Sequence, residues 1–305
     1  MNLLSGLEKF GLNSKDMKDI FSEDTQEKKA KVSKKEVAKE EPPKPKKEEP
    51  KETDFLLQKA IRCPVCDKVF KTLLVKNGRI KRKESDRDLR PRFMYIDTLK
   101  YDIASCPYCG YTAMNRYFEH MSTTQVKLIK EGVCMKFKPT SEISDEIKEI
   151  DYDEAIERYK LALYNAMVKK GKISEKAYTC LKISWLYRAQ IETLEAELEK
   201  EECTPERKVS IDKQLDIART EEIAFYNQAY EGFEKAISSE MYPIAGMDQN
   251  TLDFLIAVMA FNLKKYEVAS RGVSRLLTST SASSRIKDKA FDLKEEIINA
   301  IRNGK

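Results

Sequence analysis

From about Phe118 onward, apolar residues recur at three- and four-residue steps and glycine is scarce, which predicts a helical C-terminal half. Ahead of it the spacing changes. Val69 to Val75 and Phe93 to Ile96 are rich in aromatic and β-branched residues and predict short strands, with Asn77-Gly78 as a turn signal. At the N-terminus, Leu3, Leu4, Leu7 and Phe10, a break at Gly11, and then Met17, Ile20 and Phe21 have helical spacing in two pieces. Each piece is too short to be stable alone. The stretch is expected either to fray or to fold as a short motif, onto a partner or back onto the body.

Within the helical half one pattern occurs three times: an aromatic residue, a small one three later, a bulky one four after that, and a small or apolar one three further on. Tyr152, Ala155, Tyr159 and Ala162 fit it, as do Tyr226, Ala229, Phe233 and Ala236, and Tyr266, Ala269, Val273 and Leu276. This is the second-helix pattern of tetratricopeptide-type repeats, where small residues let paired helices approach closely. First-helix signatures are weaker, at Ile256-Ala257 and at Ile183-Ser184 with Tyr187. The copies are farther apart than the usual repeat of about 34 residues. Between the first two, the rows Ile191, Leu194, Leu198 and Ile211, Leu215, Ala218 flank Thr204-Pro205, a cap and first-turn signal. They predict two helices prolonged into an antiparallel hairpin. Arg285 to Ile301 is expected to cap the array with its polar face outward. A generic helical bundle is the competing expectation.

Composition divides the chain further. Between Gln26 and Asp54 there are ten lysines, eight acidic residues, four prolines and no aromatic residue. Such a stretch cannot bury enough apolar surface to offset its ordering entropy and is expected to be a solvated linker. The expected organisation is an amphipathic motif in 1–25, the linker in 26–54, a cysteine-bearing module in 55–117 and a helical domain in 118–305. With 41% hydrophobic residues in 305, the chain can build one or two packed domains. Its longest strongly apolar stretch, Phe254 to Phe261, falls far short of the ~20 residues of a bilayer span. The opening lacks the order of a signal peptide, so a cytoplasmic, reducing location is expected, with cysteines acting as thiols or metal ligands before disulfides.

A single histidine, His120, excludes a His-rich metal site and a histidine pH sensor. Of the seven cysteines, four fall in Cys63-Pro64-Val65-Cys66 and Cys106-Pro107-Tyr108-Cys109. Two residues between cysteines let both thiolates of a tight turn face one ion, and two such turns complete a tetrahedral four-sulfur shell. Gly110 follows the second turn and Asp67 the first, both tolerant of the left-handed conformation that closes it. Phe70 and Tyr111 are expected to pack beside the site. One structural zinc is the expected occupant; iron in a rubredoxin-like site uses the same ligands, and a redox dithiol is the third option. A closed shell has no open position for a metal-activated water, so no enzymatic activity is expected. Cys180 is expected to be a buried helix residue, and Cys134 and Cys203 share no ligand spacing.

Charge is concentrated. Lys68 to Lys100 holds eleven basic residues against four acidic ones, an excess of +7, while the whole chain carries +5. Arg79, Lys81, Arg82, Arg87, Arg90 and Arg92 are the candidates for phosphate contacts if the module binds nucleic acid. The competing account is that the cluster offsets the thiolate charge, with Arg87, Arg90 and Arg92 pairing with Asp86 and Asp88 and with strand-end carbonyls. Asp151, Asp153 and Glu154 are expected to open a helix, where acidic residues complement its dipole. Trp185, Tyr187 and Arg188 are expected in core and groove positions.

The two knuckles, the run Ser85-Asp86-Arg87-Asp88-Leu89-Arg90-Pro91-Arg92, Tyr101-Asp102 and Gly110-Tyr111 resemble the bacterial family called domain of unknown function 2225, found largely in Firmicutes. The likeness covers roughly residues 55 to 300. It implies a zinc-ribbon-like module fused to tetratricopeptide-like helices and no established activity. The expected fold class is thus mainly α: a small four-cysteine zinc-ribbon or rubredoxin-like β module, then a tetratricopeptide-like helical array with an extended hairpin. The expected role is a non-enzymatic scaffold or adaptor binding a protein or peptide, with a nucleic-acid binder and an iron electron carrier as alternatives. No small-molecule substrate is evident.

Overall fold

The computed structural model describes residues 6–12, 50–138, 147–200 and 204–303. Leu3, Leu4, Met17, Ile20, Phe21, linker residues 26–49 and Cys203 lie outside the described residues.

The cysteine-bearing module consists of two antiparallel hairpins. Strand β1 (Leu56–Arg62) pairs with β2 (Val69–Val75), and β3 (Ile103–Ser105) pairs with β4 (Thr112–Met114). Arg62 lies opposite Val69 and Ser105 opposite Thr112, so each Cys-x-x-Cys forms a hairpin tip. The predicted strand Val69 to Val75 is present. Phe93 to Ile96 is not a strand: Phe93 makes a single bridge to Arg82, and Tyr95 takes φ 65°, which breaks the extended run. At three residues each, β3 and β4 are too short to show alternation in the sequence. A described element also falls inside the expected linker. Glu52–Phe55 forms a 3₁₀ turn, and Glu52 pairs with the buried Lys100 at 2.7 Å.

Two short helices, α1 (Asn115–Phe118) and α2 (Thr123–Ile129), lead into a π-helical turn at Lys130–Cys134. The array follows as α3 (Tyr152–Val168), α4 (Ile173–Leu198), α5 (Pro205–Ser239), α6 (Gln249–Asn262), α7 (Tyr266–Thr278) and α8 (Ser284–Asn303). Its starts are chemically marked. Asp151, Thr204 and Asp248 each accept a backbone N–H three residues on, with Pro205 opening α5.

Helices α4 and α5 form the expected prolonged hairpin. Ile191, Leu194, Ile211, Leu215 and Ala218 are buried along it, and the ion pairs Glu197 with Arg207 and Arg188 with Glu222 run antiparallel. Helices α6 and α7 nearly touch: a Cβ on Gly272 would stand 3.1 Å from that of Ala257. On α8, Ala290, Leu293 and Ile297 face inward, but Phe291, Ile298 and Ile301 are exposed. The outer face of the terminal helix is therefore mixed rather than polar.

One core spans module and helices. It runs from Leu56 and Phe70 through Tyr111, Phe118 and Tyr159 to Phe233, Ala269 and Leu293. Phe118, at the expected domain boundary, packs on Phe70 and Tyr111 with ring centroids 5.9 and 4.9 Å away. The boundary drawn from the sequence therefore passes through a shared core.

Candidate metal centre

The two hairpin tips meet. The Sγ atoms of Cys63, Cys66, Cys106 and Cys109 all lie within 4.8 Å of one another, and three of the four cysteines are buried. Cys63 and Cys109 are 3.7 Å apart, Cys66 and Cys106 3.6 Å. A tetrahedral zinc with Zn–S bonds of about 2.3 Å needs S···S edges of roughly 3.8 Å, so the donor set fits such an ion. The same sulfurs suit iron.

Backbone geometry sets these positions. The amides of Cys63 and Cys106 donate across their hairpins to Lys68 and Tyr111, and the amides of Asp67 and Gly110 return to the carbonyls of Cys63 and Cys106. Asp67 (φ 60°) and Gly110 (φ 75°) take the expected left-handed conformation. The Val65 amide donates to Cys63 Sγ at 3.4 Å. Lys68 lies over the Tyr108 ring at 4.7 Å and joins the two tips.

Four thiols packed this closely share protons. Contact with Cys106 pushes the Cys63 thiol up to about 12, and contact with Cys109 pushes Cys106 up to about 12. A cation that neutralises the sulfurs must displace those protons.

Surrounding residues hold the tips in ways the spacing did not reveal. Phe70 and Tyr111 are buried beside the site as expected, and Tyr111 donates its hydroxyl proton to the Phe118 carbonyl at 3.2 Å. The fully buried Asn165 of α3 donates its amide to Gly110 O at 3.3 Å and to Leu161 O at 2.8 Å. A Cβ on Gly110 would stand 2.3 Å from the Phe137 ring. Cys134 sits in the π-helical turn against Cys109, outside the four-sulfur group. Cys180 is buried in α4.

The six basic candidates separate into two sets. Arg87, Arg90 and Arg92 are engaged with carboxylates. Arg92 makes a two-pronged contact with Asp86 at 2.6 and 3.1 Å and another with Glu192 at 2.6 and 2.7 Å. The buried Arg90 reaches Glu192 at 3.0 and 3.2 Å, and Arg87 pairs with Glu296 of α8. Against the cost of partial burial, Arg92 and Arg90 hold the Glu192 carboxyl below its ordinary value. Asp88 turns instead to α4, accepting from the Trp185 indole at 3.0 Å and from Arg188 at 2.9 Å. Arg79, Lys81 and Arg82 remain exposed on the loop after β2. Cavities of about 420 and 370 Å³ flank this loop, both lined by Pro91 and Phe93.

Fold and site together define a double-knuckle protein, with two hairpin tips enclosing one four-sulfur site and a charged loop fastening them to a helical array. The chain belongs to the family called domain of unknown function 2225, described as an uncharacterized protein conserved in bacteria, which it matches over residues 56–297. No curated protein and no solved structure matches it. Among the described residues no helix is long and apolar enough to cross a membrane.

Proposed function

We propose that the protein is a non-enzymatic cytoplasmic scaffold, in which one structural zinc on Cys63, Cys66, Cys106 and Cys109 fixes a small module to a tetratricopeptide-like array that binds a protein or peptide. The observation that carries this is the sulfur cluster: its four Sγ atoms lie within 4.8 Å of one another, and among the described residues no other His, Cys, Asp or Glu joins the group. Such a site contributes folding free energy rather than a reactive metal-bound water. The repeat pattern supports the second half. Ala155, Tyr159 and Ala162, then Ala229, Phe233 and Ala236, then Ala269, Val273 and Leu276 are buried. The second copy lies within α5 rather than at its start, because that helix is prolonged into the hairpin.

Elemental analysis of the purified full chain tests the metal. About one zinc per chain is expected, with Cys63→Ser or Cys106→Ser losing both the metal and the folded module. Visible absorption would assign iron instead, and a protein with neither metal would refute the reading. Crosslinking in cells tests the scaffold role, with partner crosslinks expected on α4 to α8.

A nucleic-acid-binding alternative rests on the exposed Arg79, Lys81 and Arg82. It requires salt-dependent binding to DNA or RNA, lost when these three are changed to alanine.

A further inference from the structure

Residues 6–12 lie on the body far from their place in the sequence. Leu7 and Leu12 are each 1% exposed, and Phe10 stacks on Phe137 with ring centroids 5.8 Å apart and planes 9° from parallel. The Lys138 amide donates to Phe10 O at 2.9 Å, and Lys9 pairs with Glu157 of α3. Gly11 is required by the fit: φ is +78°, and a Cβ there would stand 2.2 Å from the Lys136 carbonyl oxygen.

Leu7 and Leu12 join the hydrophobic core, yet two features set this segment apart from the helices and strands around it. The helical part, Leu7–Phe10, is one 3₁₀ turn, which has no stability of its own, so it owes its shape to the surface beneath it. The stretch from Gln26 to Asp54 is rich in Lys, Glu and Pro without an aromatic residue, the composition of a solvated tether. Its described contacts include three apolar anchors at i, i+3 and i+5, a backbone hydrogen bond and a half-exposed ion pair. That is the grammar of a short peptide on a docking surface. The seat also borders the metal centre, since Phe137 lies under Phe10 on one side and against Gly110, next to Cys109, on the other.

We propose that the surface formed by Lys136, Phe137, Lys138 and α3 is a peptide-docking site, and that its ligand is the chain's own Leu7-x-x-Phe10-Gly11-Leu12 segment held as a detachable latch over the second knuckle. A tethered segment acts at an effective concentration of about millimolar, so a competing peptide must bind more tightly or be presented at high local density. The proposal concerns residues 6–12 and their seat, and does not depend on the metal's identity.

The test uses full-length protein and a fluorescein-labelled peptide of residues 1–16, followed by anisotropy. Gly11→Ala in the protein blocks docking in cis and leaves the seat open. The Gly11→Ala protein is expected to bind the labelled peptide saturably and at least about tenfold more tightly than wild type, whose seat is filled. Peptides carrying Phe10→Ala or Gly11→Ala are expected to bind at least about tenfold more weakly than the native peptide. Equal binding by both proteins, or by native and Phe10→Ala peptides, overturns the proposal. So does loss of helical circular dichroism in the Gly11→Ala protein, which would make the segment an integral part of the core. Hydrogen exchange gives a second reading: the Lys138 amide should be protected in wild type and exchange faster in full-length Leu7→Ala/Phe10→Ala. Unchanged protection there also overturns it.

Discussion

Two residues next to the knuckles are under steric orders that their neighbours are not. Gly110 must take φ 75° while the Phe137 ring occupies the space a Cβ would need. Left-handed backbone costs an L-residue roughly 1–2 kcal/mol, and the ring must move as well, so Gly110→Ala is expected to lower stability by at least about 2 kcal/mol. Chemical denaturation of the metal-loaded protein measures it. A change under about 0.5 kcal/mol would mean that the ring gives way freely. Asp67 has the same backbone role without a ring above it: its side chain is exposed, and φ 60° is tolerated by aspartate. The sequence marks both positions as turn residues. Only the structure distinguishes the crowded one, because Phe137 reaches Gly110 from a segment with no knuckle signal.

At the scale of elements, the loop from Asp86 to Arg92 clips the module to α4. Arg90, Arg92, Asp86 and Glu192 form one network, while Asp88 reaches Trp185 and Arg188. The Glu192 carboxylate is held below its ordinary value, so its contribution is full above the unfolded carboxylate range and is lost as pH falls through the depressed value. Arg188 joins Asp86 and Asp88 to the same network, at 3.7 and 2.9 Å. Trp185 is the chain's one tryptophan and donates directly to Asp88, so its emission reports the clip. Titration below pH ~4 is expected to shift that emission before the helices melt. Glu192→Gln should move the shift to higher pH and leave the buried Arg90 poorly compensated, at a cost of about 2–4 kcal/mol. An emission change that coincides with helix loss in both proteins would contradict the clip. Sequence spacing located the helices, the long hairpin and the four clustered cysteines, because periodicity and Cys-x-x-Cys are local signals. It supplied Asp86 as a partner for the arginines but could not supply Glu192 or Glu296. Those carboxylates lie about a hundred and two hundred residues away and meet the loop only after folding. The same limit concealed Asn165 and Phe137, while β3 and β4 were hidden by their length of three residues each.

For the whole molecule, the decisive fact is that the cysteine module and the helices do not have separate cores. Tyr111 and Phe118 pack beside the knuckles, Asn165 of α3 grips Gly110, and Tyr159 of α3 donates to Leu99 O at 3.0 Å. Loss of the metal should therefore propagate. Structural zinc sites supply apparent binding energies of ~10–16 kcal/mol at neutral pH, comparable with the whole ~5–15 kcal/mol net stability of a typical domain. For a described body of this size, each kcal/mol moves the melting temperature by about 2–4 °C. Chelation is expected to lower the melting of the helical signal at 222 nm by at least about 10 °C, in a single transition that carries the Trp185 emission with it. Because bound metal excludes protons from the four thiols, the chelator concentration needed should fall as pH falls. Two independent melts, with the helical one indifferent to metal, would show instead that the array stands alone and the cysteine module is an appendage. The shared core and the α4 clip predict the first outcome, and in it the metal sets the geometry of the surface that the helices present.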